Sequence, residues 1–214
     1  MFPLYDQFRI PGKKPFVTLI LIGINVTLFF ISLPQLEFFI FKFGLTPAKI
    51  FQGKALFTIF SSMFFHAGFG HLLGNMWFLW VFGDNLERRL GKIKFLIFYI
   101  LCGLFSALIY LILAPEKTIP AVGASGAISG VLGGYFVLFP RHKIVSIVPI
   151  LFFLEIIAVP AFFFIGIWFL YQLLYIGSQT MIAYWAHIAG FFAGIFLIRV
   201  FAKPQKIYSV YYSI

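Results

Sequence analysis

The sequence predicts an all-α, polytopic membrane protein: a bundle of six transmembrane helices with a long first loop lying in the membrane interface. Three observations carry this expectation. The 214 residues are 62% apolar and 10% charged, whereas a soluble domain carries about 25% charged and 45–50% apolar residues. Mean hydropathy is +1.03. The apolar residues fall into runs that approach the ~20 residues needed to cross a bilayer at about 1.5 Å each. This composition excludes a water-soluble fold, a disordered chain and a disulfide scaffold. The single cysteine, Cys102, has no partner for an internal bridge. Sixteen basic residues against six acidic ones give a net charge of +10. The excess sits in the loops, where it sets membrane orientation, so no nucleic-acid partner is expected.

The elements follow in order. Residues 2–15 carry Arg9, Lys13 and Lys14 but no small-residue cleavage site, so the first span, 16–33, is read as retained. Pro34 stops it. Residues 34–70 are oily but interrupted by Gly44, Pro47, Gly53, Gly68 and Gly70, with Lys42, Lys49 and Lys54 among Phe-rich runs. That pattern suits an interfacial segment whose lysines snorkel toward water. The second span is 71–86, followed by the charged cluster 87–92. The third is 94–113, broken by Pro115 and Pro120. The fourth, 124–139, is short and rich in small residues, and ends at Pro140-Arg141-His142-Lys143. The fifth is 160–176 and the sixth 181–201. The whole chain, 1–214, reads as one domain.

Residues 144–159 are apolar but short, with Pro149 and Glu155. Charge decides how they are read. With both termini cytoplasmic, the inner segments hold Arg9, Lys13, Lys14, Arg88, Arg89, Lys92, Lys94, Arg141, Lys143, Arg199, Lys203 and Lys206. The outer side keeps Lys42, Lys49, Lys54 and Lys117. A spanning 144–159 would send the basic tail outside, against the positive-inside rule. The segment is therefore expected to be interfacial or re-entrant.

Polar side chains inside a span are expensive and mark function by default. Asn25 in the first span reads as an interhelical hydrogen bond. His71 and Asn75 stand in the second span, Ser106 in the third, Ser125 and Ser129 in the fourth, Gln172 in the fifth and His187 in the sixth. None of the six acids lies mid-span. Proton-coupled transport and aspartyl proteolysis both need such a carboxylate, and the His-Glu-x-x-His helix of zinc proteases is missing. A metal site from His66, His71 and His187 would lack an acidic or thiolate partner, and no metal or cofactor is expected.

Ser125, His187 and the His71/Asn75 pair lie near the outer ends of three spans. His71 and Asn75, four apart, share a helix face. Gly126, Gly130 and Gly134 repeat every four residues, and so do Ala186, Gly190 and Gly194 beside His187. Such stripes let helix backbones approach closely, as a serine–histidine contact of ~2.6–3.2 Å requires. The short fourth span must begin below the membrane surface for this contact to form.

Gly123-Ala124-Ser125-Gly126, then Ala186-His187-Ile188-Ala189-Gly190 with Gly194, and His66 with His71-Leu72-Leu73-Gly74-Asn75, closely resemble the rhomboid family of intramembrane serine proteases. The resemblance spans nearly the whole chain. It implies a six-helix rhomboid-like bundle and cleavage of transmembrane protein substrates near their outer end. It implies Ser125 as nucleophile, His187 as general base, and His71, Asn75 and the Ser125 N–H as the oxyanion hole. Gly123, Gly126, Gly130, Gly190 and Gly194 would pack the helices around this site. Some rhomboids carry an aromatic four residues after the nucleophile; here that position is Ser129. The expected address is the plasma membrane. Gln172 could pack or face a substrate gate. The fifth span and the first loop are the candidate gate, being least bound by glycine seams. The competing reading is a rhomboid-like protein that binds membrane clients without cutting them; a small transporter ranks last.

Overall fold

The structure is a computed structural model that describes residues 1–11, 14–150, 153–176 and 183–202. Lys13, residues 177–182 with the expected start of the sixth span, and Lys203 and Lys206 lie outside the described residues. In chain order, strand β1 (Phe2–Asp6) leads to helix α1 (Phe16–Ser32). Pro34 turns the chain through a short 3-10 turn, Leu33–Gln35, into α2 (Leu36–Phe43). Two short helices follow, α3 (Pro47–Phe51) and α4 (Thr58–Ser61). Then come α5 (Phe69–Leu90), α6 (Lys92–Leu113), α7 (Ser125–Leu138), strands β2 (Lys143–Ile150) and β3 (Phe153–Pro160), and helices α8 (Ala161–Leu174) and α9 (Tyr184–Phe201).

Two expectations need correction. The fold is mostly helical but not all-α, because residues 144–150 and 153–159 are extended strands rather than helix. They form an antiparallel pair, β2 with β3, running from Lys143 opposite Pro160 to Ile150 opposite Phe153. β1 adds to the other edge of β2, Phe2 facing Ile147 and Asp6 facing Ile144. The reason is composition: Ile144, Val145, Ile147, Val148, Ile156, Ile157 and Val159 are β-branched residues that favour a pleated strand. Asn25 is the second correction. Its Nδ2 donates to the Leu21 carbonyl of its own helix, 2.7 Å away, so it makes no interhelical bond there.

Among the described residues, three stretches are long and apolar enough to cross a membrane: Phe16–Phe43, Lys92–Leu113 and Tyr184–Phe201. Helices Ser125–Leu138 and Ala161–Leu174 are apolar but shorter. The cluster expected as a loop after the second span is helical through Leu90, and Asp84 and Glu87 are buried in the last turns of α5.

α7 packs on α9, α6 and α5. Its own Leu132 and Tyr135 are fully buried, as are Leu79, Phe82, Phe98, Tyr99 and Ile198 of the neighbouring helices. The glycine stripes explain the closeness. A Cβ on Gly190 would strike the Gly126 carbonyl, and one on Gly194 the Gly130 carbonyl. On its other side α7 meets α6, where Gly126 abuts Ser106 and Gly130 abuts Cys102. The start of α7 is thus level with Ser106. α6 continues to Leu113, about 10 Å further at helical rise. The N-terminus of α7 is recessed below the end of its neighbour.

The two ends of the bundle differ. At one end β1 is fastened to α5 and α7. Asp6 accepts hydrogen bonds from Asn85 and Tyr135, and Trp77 Nε1 donates to the Pro3 carbonyl at 2.6 Å. Asp84 pairs with Arg9 and Arg88. Glu87 closes the start of α1, accepting from Val17 N–H at 3.0 Å, Thr18 N–H at 2.7 Å and the Thr18 hydroxyl at 2.8 Å. Two orphan helix donors and the positive end of a helix dipole are satisfied by one buried carboxylate. The opposite end holds the connections 33–71 and 114–124, and there Ser125 and His187 stand.

Candidate active site

The connection 114–124 is pinned before it enters α7. Leu45 and Ala121 exchange backbone hydrogen bonds of 2.8 and 2.9 Å, and the Gly123 N–H donates to the Ser62 carbonyl at 2.9 Å. Gly123 has φ +129°, a conformation that L side chains rarely adopt. A Cβ there would also come within 2.7 Å of His71 Nε2. This strained turn delivers Ser125 as the first residue of α7.

His187 is on the first turn of α9, closer to the described helix start than a span beginning at Met181 implies. Its Nε2 lies 2.8 Å from Ser125 Oγ. The backbone is held alongside, with Ser106 Oγ donating to the Ala186 carbonyl at 2.7 Å. His187 Nδ1 lies 2.8 Å from Gln172 Oε1, on α8. Ser129 turns away, its hydroxyl donating to the Ser125 carbonyl at 2.7 Å. The imidazole instead meets Trp168, with ring centroids 6.3 Å apart, and Tyr184, at 6.4 Å.

His71 and Asn75 line the same hollow from α5. Asn75 Nδ2 donates to the His71 carbonyl at 3.0 Å and borders Gly123. The Ala67 N–H donates to His71 Nδ1 at 3.5 Å. That assigns the ring proton to Nε2, the nitrogen beside Gly123. Asn75 is buried and His71 exposed. Behind them His66 is fully buried, its ring 5.1 Å from that of His71. Burial, reinforced by His71, pushes the His66 pKa down from 6.5 to about 3. A cavity of about 50 Å³ adjoins the site, bordered by Ser62, Met63, Ser106, Ser125 and Ala183.

The fold therefore gathers Ser125, His187, His71, Asn75 and Gly123 at one end of the bundle. Gly126, Gly130, Gly190 and Gly194 form the seam beneath them. Sequence reasoning left Gln172 between packing and a substrate gate, and it singled out neither Trp168 nor Tyr184. A lone amide in an otherwise apolar α8 was the only signal for the first, and nothing distinguished the two aromatics from packing residues.

Comparison with known proteins shows the family of the chain. The family model of the rhomboid domain matches residues 53–204. The chain is 38% identical over 151 residues to Rhomboid protein 1, mitochondrial, of Saccharomyces cerevisiae, covering 68% of this chain and 42% of that protein. It is 32% identical over 134 residues to the putative rhomboid protease YdcA of Bacillus subtilis, covering 62% and 67% respectively. It is 28% identical over 125 residues to the rhomboid protease GluP of the same organism, covering 56% and 24%. The match thus spans less than half of the yeast relative. That relative is named mitochondrial, so the expected plasma-membrane address finds no support here. An integral membrane protein with this domain over most of its length belongs to the rhomboid family.

Proposed function

We propose that this protein is an intramembrane serine endopeptidase that cleaves single-span membrane proteins with a Ser125/His187 dyad. The observation that carries the reading is the 2.8 Å contact between Ser125 Oγ and His187 Nε2. A serine hydroxyl is a weak nucleophile until a base within hydrogen-bond reach takes its proton. As Oγ bonds to the scissile carbonyl carbon, its proton passes to Nε2 and the carbonyl oxygen takes the negative charge. His71 Nε2–H, Asn75 Nδ2–H and the Ser125 N–H are the donors for that oxyanion, a duty for which one donor is worth about 10²–10³ in rate. The C–N bond then breaks as His187 returns the proton to the leaving amine. Water admitted to the adjoining cavity, activated by the same imidazole, hydrolyses the acyl-enzyme.

In this reading the single domain spans six times, with α1, α5, α6, α7, α8 and α9 as the spans and 34–68 as an interfacial loop. The end carrying β1 holds Arg88, Arg89, Lys92, Lys94, Arg141 and Lys143, and faces the side that the positive-inside rule assigns. The dyad opens at the other face, recessed by the short α7 where water is reachable.

A fluorophosphonate probe and a panel of single-span substrates test the proposal. Wild type should label and cut, and Ser125→Ala and His187→Ala should each abolish both. Absence of labelling in folded wild type would reject the protease and leave a rhomboid that holds clients without cutting them.

A further inference from the structure

The dyad's base has a second partner that the proposed chemistry does not use. Gln172 is 4% exposed, in a helix whose other side chains are apolar or aromatic. Burying an amide there is unfavourable unless its polar atoms are hydrogen-bonded. Both are. Nε2 donates to the Trp168 carbonyl one turn earlier, at 3.1 Å, and Oε1 lies 2.8 Å from His187 Nδ1. The Trp168 bond decides which way the amide points, because a flipped amide would set its oxygen against a carbonyl oxygen.

With Oε1 facing the ring, Nδ1 must carry the proton. Nε2 is then a lone pair, and it meets Ser125 Oγ at 2.8 Å. The hydrogen bonds run in one direction: Ser125 O–H to His187 Nε2, His187 Nδ1–H to Gln172 Oε1, Gln172 Nε2–H to Trp168. The other tautomer would bring two acceptors together at Nδ1 and leave Ser125 facing an N–H that cannot take its proton. We propose that Gln172 is a positioning residue that fixes the base-competent tautomer of His187, as a neutral third member of the site. The inference rests on the protease reading above.

The other titratable groups facing His187 are Tyr184 of its own helix and His71 of α5. No carboxylate hydrogen-bonds it among the described residues. An amide therefore orients the ring without adding charge, whereas a carboxylate in its place would also favour the imidazolium.

The test uses the full chain in lipid vesicles with a fluorogenic single-span substrate. Gln172→Leu, of similar size but without an acceptor, should lower kcat by about 10- to 100-fold with KM nearly unchanged. That is the range seen when a metal-bound histidine loses its orienting partner. Gln172→Glu should restore most of kcat and move the acid limb of the kcat/KM profile to higher pH. A Gln172→Leu variant with wild-type kcat overturns the proposal, and so does a loss that Gln172→Glu restores in neither rate nor pH profile. Labelled-nitrogen NMR of wild type, with His187→Asn subtracted to assign the ring, reads the tautomer without activity. A protonated Nδ1 supports the proposal, and a protonated Nε2 overturns it. Failure of wild type to cut or label would reject the protease reading instead, and the NMR result would still judge the role of Gln172.

Discussion

At His66, burial removes a charge that the side chain would carry in acid. The residue lies in the connection before α5, outside the spanning helices, and stacks edge-on to His71. An unfolded chain binds a proton there below 6.5, while the folded chain does so only near 3. The unfolded state therefore holds more protons between these values, and stability falls as pH drops through that window. The slope is at most about 1.4 kcal/mol per pH unit, levelling off below the folded value. Denaturation of the purified protein across this range should show the loss, and His66→Phe should flatten it. An unchanged slope in His66→Phe would assign the acid sensitivity to other groups. The same scale explains Ser129. A hydroxyl at that position folds back onto its own helix and leaves the imidazole face to Trp168 and Tyr184, which arrive from α8 and α9.

Among the elements, the α7–α9 seam sets the distance between Ser125 and His187. Its backbones touch because Gly133, Gly190 and Gly194 carry no Cβ, whereas a Cβ on Gly126 or Gly130 would first meet Ser106 or Cys102 of α6. In a bilayer, lipid tails are as apolar as the helices, so packing contacts of this kind hold helices together. Gly194→Ala sets a methyl against the Gly130 carbonyl, where only a backbone shift makes room. The expected cost is about 1–3 kcal/mol, as for overpacked cores, with a weakened Ser125 response to a fluorophosphonate. Gly166→Ala is the control, because a Cβ there meets nothing within 4 Å. Equal stability of the two variants would show that the seam tolerates separation. The α1–α5 pair is held differently, by Glu87 capping the first turn of α1.

For the whole molecule, the proposed protease reading requires a helical substrate to reach a recessed serine. α8 carries Gln172 and Trp168 against His187 at one end and Phe164 against Phe78 and Phe82 of α5 at the other. Gly166 of α8 faces open space, in contrast to the crowded glycines of α7 and α9. Joining α5 to α8 through cysteines at positions 78 and 164, in a Cys102→Ala background, should slow cleavage of a single-span substrate by about 10-fold or more, on the order of losing a closing element. A small soluble ester should be hydrolysed at nearly the unlinked rate. Equal effects on both substrates would place substrate entry elsewhere.

The amino-acid sequence by itself determined the membrane setting, the helical character and the serine and histidine that meet. Each of these rests on local information: apolar runs of spanning length, glycines every four residues, and polar side chains too costly to sit in lipid without a partner. Tertiary structure decided what depends on partners distant in the chain. β2 and β3 pair locally with each other, but Phe2–Asp6 joins the free edge of β2, a contact across more than a hundred residues that no periodicity announces. Glu87 is a buried helix cap rather than a loop charge because α1 starts against it. Gln172 faces His187 because α8 and α9 stand side by side, and a buried amide becomes informative only when both of its hydrogen-bond partners can be named.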